Sequence, residues 1–314
     1  MKKVTFLAFF LTITFFTTAQ SYIGFLSDNY SGVHAIISNP ANITDSPFKI
    51  DINVAGFSAF AGNDYYGVNV FDALKDGYSF DLEAKASPSM DNNAAFNLDF
   101  LGPAFMFNLS KNSSIAIFTR ARLFMNVSEI NGASIAAIDD DSTDDFNINE
   151  GNINGLGHAW AEFGITYARV LFNKRQHFFK GGLTLKYLKG LGSAYVAGNN
   201  VAIDYDADGT DLGGGATTGS ISSTGFVNYG RYDEFAEDNW DYETPDNANG
   251  FAADLGFVYE WRPHYRDNTT YKIKMGVSVT DIGNINYKDG VREGYNITNT
   301  NVSEDDFNNS TSAG

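Results

Sequence analysis

The sequence predicts an all-β fold: an antiparallel transmembrane outer-membrane β-barrel, incomplete here, with about seven strands, long extracellular loops and short periplasmic turns. Three observations predict it. Stretches of about 12 to 14 residues alternate apolar and polar side chains, longer than the usual 5 to 6 of globular strands and suited to a tilted strand crossing a bilayer. The linkers between them are alternately long and short. The N-terminus has the order of an export signal.

The chain begins MKKVTFLAFFLTITFFTTAQ, two lysines, an apolar run from Val4 to Phe16, then small residues before a cleavage site expected beside Ala19 or Gln20. Residues 1–20 are therefore assigned to a signal peptide, and the apolar run is shorter than a spanning helix requires. The mature chain has no cysteine, so neither disulfides nor thiolate metal sites hold it. With 43% hydrophobic residues and 31 glycines it can bury a core. A net charge of −17, from 38 acidic and 21 basic residues, argues against nucleic acid as a partner.

The first strand follows the turn-rich Asn39-Pro40-Ala41-Asn42. In FKIDINV, Phe48, Ile50, Ile52 and Val54 share one face while Lys49, Asp51 and Asn53 share the other. The phase reverses at Gly56, where a bulge or twist is expected. Six further stretches follow, at 96–109, 114–127, 159–172, 178–190, 250–262 and 270–282. In SIAIFTRARLFMNV, Ile115, Ile117, Leu123, Met125 and Val127 form an apolar row, opposite Arg120, Arg122 and Asn126. In GFAADLGFVYEW, Phe251, Leu255, Phe257, Tyr259 and Trp261 are separated from Asp254 and Glu260 in the same way.

The linkers run long (61–95), short (SKNS), long (128–158), short (NKRQH), long (191–249) and short (PHYRDNT). A soluble sandwich has no reason to sort its loops by length to one end. Tyr167, Phe172, Phe178, Tyr259, Trp261 and Tyr271 lie near the short turns, as an aromatic girdle would. If the first strand runs outward from the periplasm, the seventh also runs outward, so a C-terminally truncated chain, with roughly half of a barrel, is expected. The domains are then a signal peptide (1–20), a periplasmic or lumen-plugging segment (21–47) and the N-terminal part of a barrel (48–314).

Charges expected in the lumen are Arg120 and Arg122, then Glu162, Lys186, Asp254 and Glu260, then Lys272 and Lys274. Their sign alternates between neighbouring strands, which predicts a structural ion-pair wall rather than a conducting ring of one sign. DYDADGTD places Asp204, Asp206 and Asp208 like the opening of a calcium loop, but Gly215 stands where a bidentate Glu should close it, and an acidic solvated loop competes. No other cofactor is expected. DDDSTDD (139–145) reads as a charged face. His34, His158, His177 and His264 have no metal-ligand spacing and read as surface residues, and no nucleophile, base and acid set suggests an enzyme.

SGVHAIISNPANI resembles the segment before the first strand of the fatty-acid-transporter (FadL-like) family and related PorV-type secretion barrels, through Asn39, Pro40 and Ala41. GLGHAWAEFGITYARV, GGLTLKYLKGLGSAY, GFAADLGFVYEW and MGVSVTDIGNINY are similar to an uncharacterised Bacteroidetes outer-membrane barrel family of unknown function. That resemblance implies an N-terminal hatch around Asn39, Pro40 and Ala41. It implies an OmpA-like peptidoglycan-binding domain only in longer members. The Asn at 42, where the transporters have Gly, departs from their pattern. The expected partners are outer-membrane lipid and, through a longer chain, peptidoglycan or secretion machinery. Two functions follow: a non-enzymatic envelope scaffold, or a transport barrel for apolar or small solutes gated by the N-terminal segment.

Overall fold

In the computed structural model, residues 30–67, 84–132, 145–213, 216–232, 247–263, 271–288, 290–298 and 300–303 are described, with isolated positions at 26, 75, 77 and 79. The expected signal peptide, most of the 139–145 acidic run and His264 lie outside them. Two 3-10 helices, Gly32–Ile37 and Pro40–Ile43, precede the strands. The strands are β1 (Ile50–Asn53), β2 (Gly56–Asn63), β3 (Tyr66–Gly67), β4 (Lys85–Ala86), β5 (Asn92–Ser110), β6 (Ser113–Ile130) and β7 (Phe146–Lys174). They continue as β8 (His177–Gly213), β9 (Ala216–Tyr232), β10 (Ala248–Trp261), β11 (Ile273–Tyr287), β12 (Val291–Asn296) and β13 (Thr300–Ser303). Among the described residues no helix is long and apolar enough to cross a membrane.

Every pairing is antiparallel. The main sheet runs β1/β2, β5, β6, β7, β8, β10, β11, each strand beside its sequence neighbour except where β2 meets β5, past the separate β3–β4 pair, and where β8 meets β10. The seven expected stretches are these seven positions, with β1 and β2 forming one interrupted strand. The interruption lies at Val54–Ala55, two residues before the expected Gly56. It faces Gly102–Pro103 of β5, where proline has no N–H for the ladder. Asn53 Nδ2 spans the gap, donating to the carbonyls of Leu101 (3.2 Å) and Gly102 (2.9 Å).

Two-residue turns at 111–112 and 175–176 join β5 to β6 and β7 to β8, with Arg175 at φ 54°. At the other end the structure corrects the expected loops. The 29-residue β7 and 37-residue β8 carry the ladder far into 128–158 and 191–249, and β9 returns along β8. At about 3.3 Å per residue β8 spans roughly 120 Å, several times a bilayer's hydrocarbon thickness. These arms are rich in Asn, Ser, Thr, Gly and Asp, so their strands carry little hydrophobic periodicity.

β8 changes neighbour along its length: 177–189 pairs with β10 and 193–213 with β9, which β12 and β13 flank. Gly190 stands at the branch. A Cβ there would meet the Tyr287 ring, which lies over this strand.

Side-chain alternation gives the sheet two different faces. On β6, Ser114, Ala116, Phe118 and Arg120 are buried while Ile117 and Thr119 are exposed, and on β10 the even positions 252–260 are buried, as is Arg262 just beyond it. The outward rows stay open: Val54 is 77% exposed, Phe251 74% and Val277 63%. The inward side is concave, because the two 3-10 helices touch β1, β5, β6, β7, β8 and β10 together. Among the described residues the sheet is not closed into a ring.

Candidate functional site

Residues 31–45 fill one level of the concave face. Val33, Ile36 and Ile43 are fully buried against Leu101, Ala104, Met106, Ala116, Phe118 and Ala168 of β5, β6 and β7. Apolar burial of this kind supplies about 25 cal/mol per Å². The entry of the second 3-10 helix is built by Asn39, whose extended backbone and Oδ1, accepting from Ala41 N (2.9 Å), cap it, while Pro40 fixes the first helical φ. Asn39 Nδ2 donates to the carbonyls of Phe257 on β10 and Val277 on β11, each at 3.2 Å.

Three glycines lie beneath the turn, and at two of them only a bare backbone fits. A Cβ on Gly182 would strike the Pro40–Ala41 peptide, and one on Gly256 would strike the Asn39 amide and Pro40 Cδ. Gly182 and Gly256 are cross-strand partners on β8 and β10, whereas a Cβ on Gly276 of β11 would lie 3.4 Å from Asn39 Nδ2, an ordinary contact. The turn therefore rests on a floor of bare backbone. Further polar links tie the segment down. Val33 N donates to Asp51 Oδ2 (2.7 Å), Ser278 Oγ to Ser38 O (2.7 Å) and Lys180 Nζ to Thr44 O (2.9 Å).

Two ion-pair networks flank the segment. At the short-turn end Arg262 pairs with Glu260 (2.6 Å) and with Asp45 (2.5 Å), and its guanidinium lies 3.9 Å from the Phe178 ring centre. Toward the long arms, Arg120 pairs with Asp99 and lies 3.9 Å from Glu162. Glu162 also pairs with Arg122 (3.4 Å), which reaches Asp281 (2.9 Å). Asp281 in turn holds Lys186 (2.5 Å), which pairs with Asp254 (2.8 Å). This second network joins β5, β6, β7, β8, β10 and β11 through four carboxylates and three cations. The Arg122–Asp281 pair bridges the trough between strands that are not neighbours.

Of the residues singled out in the sequence, Arg120, Arg122, Glu162, Lys186, Asp254 and Glu260 lie on the concave side and are ion paired. Lys272 is exposed, and Lys274 stands opposite Glu260 in register with its ammonium 5.8 Å from the Tyr271 ring. Glu260 pairs with Arg262, two residues further along the same strand end. Asp99, Asp281, Arg262, Asp45 and Lys180 were not expected. Asp281 escapes the simple alternation because Asp254 faces a bulge there: Ala253 pairs with Ile282 and Leu255 with Val279, and Asp281 adopts φ 61°. Its N–H donates to Asp254 Oδ1 (2.7 Å). Asp99 was readable, sharing parity with Asn97 and Leu101 before the Gly102–Pro103 break.

Three other expectations are corrected. Asp204, Asp206 and Asp208 lie in strand β8 rather than in a loop, with Asp204 accepting from Asn147 Nδ2 (3.2 Å). Among the described residues no group of three or more His, Asp or Glu side chains is placed to hold a metal ion. Phe178, expected in an outward girdle, is 2% exposed because it shares the inward parity of Lys180 and Gly182. His158, expected at the surface, is half-buried, stacked on Trp160 at 4.7 Å and hydrogen bonded to Tyr287 Oη at 2.8 Å. Tyr167, Phe172 and Tyr271 are exposed on the outer face.

A family described as "Family of unknown function (DUF5723)" matches residues 40–313. Comparison with curated proteins and with solved structures gave no match.

Proposed function

We propose that this chain, which belongs to that family of unknown function, forms the wall of an outer-membrane β-barrel that serves as a non-enzymatic scaffold of the cell envelope. The reading rests on one observation: the concave face is occupied by residues 31–45 and crossed by the Arg122–Asp281 bridge, leaving no single-sign path along it. A conducting pore needs a hydrated lumen, whereas this trough is blocked at one level by the apolar packing of residues 31–45 and crossed at another by mutually neutralising charges. Membrane residence is supported by the outward rows. Large exposed side chains such as Val54, Phe57, Leu185, Phe251 and Val277 form surface that water would penalise and lipid would cover.

The direction of the strands limits how such a wall closes. β1/β2 and β11 sit at opposite edges of a seven-position antiparallel sheet, so both run the same way. Pairing them directly would be parallel, and antiparallel closure takes an odd number of additional strands.

A transport reading is favoured by the separate character of residues 31–45, two short helices docked by side-chain contacts instead of a strand of the ladder. Liposome swelling by the purified protein, with and without residues 21–47, distinguishes the two. The scaffold predicts no solute flux in either form, flux only after deletion supports a gated transporter, and flux through the intact protein rejects the scaffold.

A further inference from the structure

The short-turn end of the sheet carries a charge opposite to that of the chain as a whole. Six basic side chains stand exposed there: Lys49 before β1, Lys111 in the β5–β6 turn, Arg169 and Lys174 on β7, Arg175 in the β7–β8 turn and Lys272 before β11. Backbone hydrogen bonds set them in a row across the sheet. Asn108 N donates to Lys49 O (2.9 Å), Val170 N to Asn112 O (2.8 Å) and Lys272 N to Trp261 O (2.9 Å), while Arg169 stands opposite Ser113 in register. Among the described residues the carboxylates at this end are Asp45, Asp51 and Glu260, and all three are engaged on the concave side. Asp45 and Glu260 hold Arg262, and Asp51 accepts from Val33 N. None of the six bases is ion paired among the described residues. The whole chain is at −17, and segments 128–158 and 191–249, which build the arms, contain Arg231 as their only Lys or Arg.

We infer that this basic rim docks on the phosphate headgroups of anionic phospholipid in the leaflet at the short-turn end. The inference rests on the membrane reading above and names the lipid that such a wall selects. The placement of the bases favours lipid over a soluble anion. Arg169 shares the outward parity of the exposed Ile165 and Tyr167, so its stem continues the apolar row and its guanidinium lies where that row ends. Lys174 follows the exposed Phe172 in the same way, with its ammonium 5.8 Å from the ring centre. Apolar rows, then rings, then cations are in the order of a leaflet crossed from hydrocarbon through the interface to phosphate. A guanidinium pairs phosphate oxygens bidentately, and a base gains from an anionic surface only within a Debye length, about 8–10 Å. The acidic arms extend far beyond that length from the rim, so the asymmetry of charge selects the short-turn end to meet such a surface.

The test dilutes the detergent-solubilised protein into vesicles of phosphatidylcholine, alone or mixed with phosphatidylglycerol, and identifies the lipid that stays bound after re-extraction in mild detergent. Phosphatidylglycerol is expected to be enriched about tenfold over its share of the vesicle, and the enrichment to collapse at about 1 M salt. Lys111→Gln combined with Arg169→Gln, Lys174→Gln and Arg175→Gln removes the enrichment with unchanged circular dichroism. The charge-preserving Lys111→Arg with Lys174→Arg keeps it, as does Lys288→Gln with Arg292→Gln on the long-arm side. Inorganic phosphate displaces no more lipid than chloride at the same ionic strength. Flotation with both vesicles but no enrichment, or enrichment that survives the four Gln substitutions, overturns the inference and leaves the membrane reading standing. Displacement by phosphate beyond that by chloride, or retention on purified peptidoglycan without lipid enrichment, overturns it in favour of a soluble anion or the wall polymer. Failure to float with either vesicle removes the membrane reading and the inference with it.

Discussion

Arg120 illustrates what a single inward side chain does in this fold. Its Nε donates to Asp99 Oδ1 at 2.8 Å, and both residues are buried, so its loss strands a carboxylate in a site with little water. Arg120→Met is expected to destabilise the protein by about 3–5 kcal/mol, read from urea unfolding, and Arg120→Met with Asp99→Leu to recover much of that loss. A different group of three residues sets a pH window on the arms. Glu293 of β12 accepts hydrogen bonds from the hydroxyls of Tyr229 on β9 and Tyr295, so its carboxyl titrates below the usual value. The same bonds raise Tyr229 and push Tyr295 up to about 12. A depressed acid loses its contribution as pH falls through its folded pKa, and a raised tyrosine keeps its contribution below 10 and loses it as pH climbs toward about 12. β9–β12 pairing should therefore persist between these limits. Tyrosinate absorbance is expected to show two late-titrating groups that become ordinary in Glu293→Gln.

At the level of elements, the decisive contact is between the Asn39–Pro40 turn and the Gly182–Gly256 floor. Gly182→Ala puts a methyl group where the Pro40–Ala41 peptide lies, while leaving β8 able to pair with β7 and β10. The expected outcome is a displaced N-terminal segment on an intact sheet. Limited proteolysis should cut within residues 31–45 faster than in the unaltered protein, with β-sheet circular dichroism preserved. Asn39, Pro40 and Ala41 were visible in the sequence as a turn, since Pro restricts the residue before it. Their receptor was not. The three glycines sit more than a hundred residues away on three strands, and only pairing makes them neighbours.

For the whole molecule, the outward apolar rows and inward charges make an inverted object when compared with a soluble sheet. The protein is expected to fractionate with the outer membrane, to resist carbonate extraction, and to show heat-modifiable electrophoretic mobility. Recovery in the soluble fraction would reject membrane residence. The long arms do not weaken this expectation, because they continue the ladders of β7 and β8 past any bilayer thickness with polar composition.

Period-two alternation was enough to locate all seven positions of the main sheet, their inward and outward faces and six of the paired charges, because a strand's side chains point by parity alone. Parity carries no information past a bulge, which hid Asp281. It is weak where both faces are polar, which made hairpin arms look like loops. Which charges meet, which glycines receive the turn, and how β8 divides its edge between β10 and β9 were decided only by the tertiary structure. Register and curvature bring together residues far apart in the chain, and local sequence encodes neither.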